Sequence, residues 1–268
     1  MGSDILFVLA ALGVGAIFGS FINALSFRFN TGKSMGGRSQ CMCCGHQLSA
    51  ADLIPVFSYG YLGGRCRYCH ARVSLQYPAV ELLAAALSLG VFFAANTPLA
   101  YVAGLLVWMI ILFIIVYDLR HMIIPHVASV ALMISVLAHM AVVGNYSWHL
   151  LLAGPLLALP FVLLSLVSGG RWMGWGDSGF ELSLGWLLGP TLGLTALMLA
   201  VWSGALVGVL IIALQKILAQ LTPTRPFLKS LHGFTIKSEI PFAPFLAFGA
   251  AIAYFFHVNF FQTLSLFF

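Results

Sequence analysis

Two aspartates stand where the chemistry of this chain would be found. The 268 residues include only seven acidic side chains. An ionisable group at the end of an apolar run is a functional candidate by default. Asp118 closes one such run in Val116-Tyr117-Asp118-Leu119-Arg120. Asp177 opens another in Met173-Gly174-Trp175-Gly176-Asp177. If the fold brings them face to face, they can share one proton, because two like charges in contact do not both ionise readily. One carboxylate then draws a proton from water while the other polarises a carbonyl, which is the chemistry of aspartyl peptide hydrolysis. The spacing equally allows a structural reading, in which Asp118 pairs with Arg120 or His121 and Asp177 caps a helix. Glu181, one helical turn beyond Asp177, is a competing carboxylate. Glu81 and Glu239, near the starts of other apolar runs, read as helix-terminal or structural groups.

A second constellation is made of sulfur. Cys41-Met42-Cys43-Cys44 and Cys66-Arg67-Tyr68-Cys69 provide two CxxC pairs, Cys41/Cys44 and Cys66/Cys69. Four thiolates on two tight turns suit a tetrahedral zinc ion. Cys43 could replace Cys44 by spacing alone, and reduced cysteines without metal are the alternative. His46 and His70 adjoin the pairs without being needed as ligands. These cysteines lie in the one long hydrophilic stretch, residues 28–77, which is too small to build much core of its own and gains from a metal staple.

The elements that must position these groups are membrane helices. Hydrophobic residues make up 61% of the chain and charged residues 7%, against about 25% charged in soluble domains. A water-facing surface cannot be made from so few charges. Runs near the roughly 20 residues that cross a bilayer predict eight helices at about 5–27, 78–95, 99–117, 123–143, 148–168, 178–189, 191–214 and 241–262. The break between the sixth and seventh falls at Gly189-Pro190. The expected architecture is therefore all-α and polytopic. It has a first helix (1–27), a four-cysteine insert (28–77) and a membrane-embedded body (78–268). Asp4 precedes the first run and no basic segment does, so the run reads as a retained span.

Every Lys and Arg falls in one of four alternating connections: Arg28 to Arg72, Arg120, Arg171, and Lys216 to Lys237. A positive excess marks the cytoplasmic side. The insert and both aspartates are thus expected at the cytoplasmic face, with both termini outside. The net charge of +5 is accounted for by these loops. No basic stripe with interleaved aromatics suggests nucleic acid as a partner.

Several segments together resemble the type IV prepilin peptidases. They are Gly19-Ser20-Phe21-Ile22-Asn23, Arg38-Ser39-Gln40-Cys41 with Cys44-Gly45-His46, Asp52 to Tyr59, Gly64 to Cys69, and Tyr77-Pro78-Ala79-Val80-Glu81. Asp118 with Ile124-Pro125, the GxGD element Gly174 to Asp177, and Glu239 to Phe245 follow in family order. The resemblance covers nearly the whole chain. It implies a GxGD aspartyl protease that removes the basic leader of type IV prepilins or pseudopilins after a glycine, with Asp118 and Asp177 as the catalytic pair. It also implies membrane lipid as the surroundings, and S-adenosylmethionine as cofactor if the new N-terminus is methylated. Two positions depart from the family pattern: Gly179 stands where a lysine is usual, and His126 where an acid or amide is common. Other readings are an archaeal-type preflagellin peptidase, which normally lacks the cysteine insert, a non-enzymatic zinc-containing assembly factor, and a transporter using buried carboxylates.

Overall fold

Hydrocarbon offers a peptide group no hydrogen-bond partner, so a chain this apolar has to close its backbone bonds within helices. The computed structural model follows that rule and describes residues 2–31, 36–144, 146–171, 173–221 and 241–260. Lys33, Arg225, Lys229, Lys237 and Glu239 lie outside the described residues, as does the side chain of Lys216. Among the described residues there is no β-strand, only two isolated bridges in the insert. The helices are α1 (Gly2–Arg28), the short α2 (Phe57–Tyr61), α3 (Gln76–Ala94), α4 (Pro98–His121), α5 (His126–Val143), α6 (Trp148–Ser168), α7 (Trp175–Leu221) and α8 (Ala243–Phe256).

Among the described residues, six helices are long and apolar enough to cross a membrane. The longest apolar stretch, Trp175–Leu214, has 40 residues. A straight helix of that length would measure about 60 Å, twice the hydrocarbon thickness. It is not straight. Gly189 has φ 76° and ψ −178°, a conformation that is essentially confined to glycine. A Cβ added at Gly193 would lie 3.8 Å from the Cα of Gly185, although residues eight apart in an unbroken helix are separated by about 12 Å. The chain therefore doubles back at Gly189, and α7 contains the expected sixth and seventh spans as two arms. The eighth expected span is the 14-residue α8.

The residues fall into two packed units, Met1–Tyr117 with Val130–Asn145, and Asp118–Ser129 with Tyr146–Phe268. In the first, α1 lies against α3. A Cβ at Gly15 would meet the Ala84 carbonyl at 2.5 Å and the Ala85 Cα at 2.7 Å, and one at Gly19 would meet the Glu81 Cα at 2.7 Å. Small residues let membrane helices approach closely, where packing rather than water exclusion drives association. The buried Asn23 donates from Nδ2 to the Tyr77 carbonyl at 3.1 Å, and Ser88 Oγ donates to the Ala11 carbonyl at 2.7 Å.

In the second unit, α6 starts at Ser147, whose hydroxyl accepts the Leu150 N–H. It ends at Gly169 in the left-handed conformation. It packs on the first arm of α7 where Gly185 faces Gly154, and Trp186 Nε1 donates to the Leu151 carbonyl at 3.0 Å. Gly249 of α8 abuts the Ala196 carbonyl on the second arm. This tight packing means that the turn at Gly189 must be made in one way. Gly189→Ala would force a side chain into a strained conformation and place its Cβ 2.8 Å from Leu150 Cδ2. The expected loss is about 1–3 kcal/mol, read as a lowered thermal unfolding midpoint in detergent. An unchanged midpoint would count against the reversal.

Candidate metal centre and carboxylate site

The insert contains the same turn twice. Gly45 N–H donates to the Cys41 carbonyl and Cys41 N–H to that of His46. Likewise His70 N–H donates to Cys66 and Cys66 N–H to Ala71, all between 2.9 and 3.0 Å. Each turn is closed by a residue in the left-handed region, Gly45 (φ 70°) and His70 (φ 57°), and each is braced by a bridge, Gln40 with Gln47 and Arg65 with Arg72. Facing one another, the turns gather the sulfurs of Cys41, Cys44, Cys66 and Cys69 within 4.8 Å. Cys44, not Cys43, completes the set, although both are exposed.

The Cys41 and Cys69 sulfurs are 3.7 Å apart. Tetrahedral zinc with bonds of about 2.3 Å requires sulfurs about 3.8 Å apart, so the donor set fits that ion. The thiols also pull apart in proton affinity. The backbone N–H groups of Cys44 and then Cys43 lower Cys41 to about 6. Cys69 is drawn down by the Ala71 N–H, but burial and its sulfur neighbours push it up to about 12. Four thiolates at this spacing need a central cation, and a dication bound there would hold all four deprotonated. His46 stays outside the cluster and packs its ring on Tyr68 at 3.7 Å.

Asp52 braces the insert. Its carboxylate accepts from Arg67 Nε at 2.6 Å, from the Ser49 hydroxyl at 2.8 Å and from the Ser49 N–H at 3.1 Å. Burial opposes its ionisation, yet the Ser49 and Arg67 bonds prevail and hold it below the ordinary carboxylate range. Glu81 has a structural partner, accepting the Val56 N–H at 2.7 Å.

The two aspartates both belong to the second unit. Asp118 sits in the last turn of α4, where its carbonyl accepts the Met122 N–H at 2.7 Å. Met122 is left-handed (φ 55°) and turns the chain into Ile124-Pro125. A Cβ at Gly176 would be 2.6 Å from the Cβ of Ile124 and 3.1 Å from its carbonyl oxygen. Only glycine permits this approach, and the contact draws the segment after Asp118 against the start of α7. Asp177, in the first turn of α7, folds its carboxylate back over Gly174 and accepts the N–H groups of Gly174 and of Asp177 itself. Asp177 is thus a helix cap, and it also lies within electrostatic range of Asp118.

Asp118 is only 4% exposed. Its carboxylate accepts the N–H of Ala243, the first residue of α8, a helix end that favours negative charge. Its Oδ2 is buried and has no hydrogen-bond partner among the described residues. The Ala243 donor was missed by sequence reasoning. Its only signal was Pro244, a helix-starting residue inside a motif that had no assigned role. Glu181 is 2% exposed.

Membrane-length apolar helices, a cysteine cluster able to hold a metal ion and two aspartates at helix ends together define a multi-pass membrane protein with a metal-binding insert. The comparisons with known proteins give the family. Residues 14–95 match the family described as Bacterial Peptidase A24 N-terminal domain. The prepilin leader peptidase/N-methyltransferase of Aeromonas hydrophila is 30% identical over 226 residues, covering 81% of this chain and 70% of that protein. Those of Bacillus subtilis (28% over 243 residues, 90% of each chain) and Stutzerimonas stutzeri (28% over 283 residues, 92% of this chain and 90% of that one) carry the same description. The chain belongs to the prepilin leader peptidase/N-methyltransferase family. No solved structure matches it.

The knuckle geometry predicts that purified protein contains close to one zinc per chain. Cys66→Ser should lose the metal, whereas Cys43→Ser should retain it. Metal analysis of the three proteins checks this, and equal zinc in the Cys66 variant would overturn the ligand set.

Proposed function

We propose that this protein is an aspartyl endopeptidase that cuts the basic leader from type IV prepilins or pseudopilins after a glycine. Asp118 and Asp177 act as the catalytic pair at the cytoplasmic face of the inner membrane. The reading is supported most directly by the buried, unpartnered Oδ2 of Asp118 in electrostatic range of the Asp177 carboxylate. A buried acceptor left without a partner costs about 1–3 kcal/mol, and a water or a substrate carbonyl removes that cost.

In the proposed reaction one proton is held between the two carboxylates. The ionised partner accepts a proton from the attacking water as the new C–O bond forms at the scissile carbonyl. The protonated partner gives its proton to the carbonyl oxygen, and the leaving amine is protonated when the C–N bond breaks. The Ala243 N–H holds Asp118 in place, and the capping bonds at Gly174 hold Asp177. Gly176 keeps the two segments in register. Gly179 stands where the family usually has a lysine.

The substrate's geometry suits this site. A prepilin's apolar helix lies in the bilayer and its basic leader in the cytoplasm, so its cleavage point falls at the membrane surface, where the positive-inside pattern puts both aspartates. Membrane residence then supplies much of the positioning. The names of the relatives add a second step, methylation of the new N-terminus. S-adenosylmethionine, when bound, would supply an electrophilic methyl group for the freed amine.

Asp118→Asn and Asp177→Asn should each lower leader cleavage by about 10³-fold or more, within the range of general acid–base effects, with membrane insertion and zinc content unchanged. Gly176→Val, which displaces Ile124, should also impair cleavage. Mass measurement of a pilin precursor incubated with each purified variant reads the outcome. Normal cleavage by either asparagine variant would overturn the carboxylate pair.

A further inference from the structure

Residues 45–65 join the two cysteine pairs, and the gathered sulfurs of Cys41, Cys44, Cys66 and Cys69 tie the two ends of this loop together. At its tip, large apolar side chains are left uncovered. Ile54 is 50% exposed, Phe57 79% and Tyr61 83%. Phe57 and Tyr61 stand one turn apart on α2 and share a face. Ile54 stands one turn before them, its carbonyl accepting the Ser58 N–H at 3.0 Å. A contiguous apolar patch of this kind on a hydrophilic insert marks an interaction surface.

The depth of the tip follows from the register of α1 on α3. Gly15 lies against Ala84 and Ala85, Gly19 against Glu81, and Asn23 donates to the Tyr77 carbonyl. The two helices are therefore antiparallel, and Glu81 is level with Gly19. That level is nine residues, or about 13 Å, inside the basic end of α1 at Arg28. The Val56 N–H donates to the Glu81 carboxylate at 2.7 Å, and the same carboxylate accepts the Ser20 hydroxyl. The tip thus reaches back past the end of α1, to a level where the spans present Phe21 (58% exposed) and Leu82 (55%) outward. It is held there in a costly shape. Val56 has φ 63° and ψ −49°, and Phe57 N–H donates to the Pro55 carbonyl at 2.6 Å. That is a γ-turn with positive φ at a β-branched residue, a rare and strained combination. Such strain persists where the surroundings enforce it, and the buried Glu81 enforces it here.

We propose that residues 53–61 form an interfacial anchor, with Ile54, Phe57 and Tyr61 seated in the headgroup–acyl boundary of the bilayer. The occupant of the patch is lipid. The patch continues the apolar outer surface of α1 and α3 at the same depth, and aromatic side chains favour that boundary. Arg38, Arg65 and Arg72, all exposed on the same insert, suit anionic headgroups. The cysteine cluster fixes the base of the loop and Glu81 fixes its tip. The insert therefore rests on the membrane rather than hanging from its two flanking helices.

The test is photocrosslinking of the full-length protein in nanodiscs of phosphatidylethanolamine and phosphatidylglycerol. The photoreactive p-benzoylphenylalanine replaces Phe57, Tyr61, Ile54 or, as the lipid-facing reference on α3, Leu82, one position at a time. Mass spectrometry of the digested protein should find lipid attached at 57 and 61 as it is at 82. In protein labelled at position 54, adding Phe57→Asp with Tyr61→Asp should lower the lipid adduct about tenfold or more, because charged groups leave the acyl boundary. The thermal midpoint reports folding, and the singly labelled proteins decide the matter if the double aspartate variant does not fold. Lipid attached at 82 but not at 57 and 61 would overturn the anchor, as would an unchanged adduct in the folded double variant. Attachment of 57 and 61 to a polypeptide instead would overturn it too, and would make the patch a protein-binding surface.

Discussion

Nothing in a bilayer's interior will take a hydrogen bond that the chain does not take itself, and most of this structure can be read as compliance with that rule. Buried hydroxyls return their protons to carbonyls of their own helix: Ser26 to Asn23, Ser135 to Ala131, Ser183 to Gly179 and Thr195 to Thr191, all between 2.7 and 2.9 Å. Such back-bonding is the local alternative open to Ser and Thr inside a helix. Where it fails, another element answers, as Tyr77 does for Asn23 and Ala11 for Ser88. Some buried atoms still go unanswered among the described residues, Asn23 Oδ1, Ser129 Oγ and Ser178 Oγ with them, and Asp118 Oδ2 is the one carboxylate oxygen in that group.

Close approach is the second consequence. With no water to exclude between helices, contact has to come from shape. Glycines at 15, 19, 154, 185 and 249 provide that shape at the helix crossings. Gly176 uses the same device for another end. Its missing side chain leaves room for Ile124, so packing rather than any direct bond sets how near the segment carrying Asp118 comes to Asp177.

Helix type, approximate spans and the gathering of the two cysteine pairs were all legible, because apolar runs and CxxC spacing are local signals. The choice between Cys43 and Cys44 was not, since both lie within reach along the chain; the N–H groups of Cys43 and Cys44 wrap the Cys41 sulfur, and the sulfur of Cys44 is the one brought beside the other three. The break at Gly189 was legible, but the reversal that leaves both arms helical depends on a backbone angle that no pattern reports. Val56 was illegible for the opposite reason. A β-branched residue argues against positive φ, and the group that overrides this preference, Glu81, lies distant in sequence. The Ala243 donor is a backbone N–H and has no residue type to betray it. As for Asp177, capping does not compete with a place beside Asp118, since the bonds to the Gly174 and Asp177 N–H groups use only some of the carboxylate's lone pairs.

The order of the two proposed reactions follows from nitrogen chemistry rather than from any gate. Before cleavage the nitrogen that would be methylated is part of a peptide bond, its lone pair delocalised into the carbonyl and unable to attack a sulfonium methyl. Hydrolysis frees that lone pair, so the first reaction creates the nucleophile for the second.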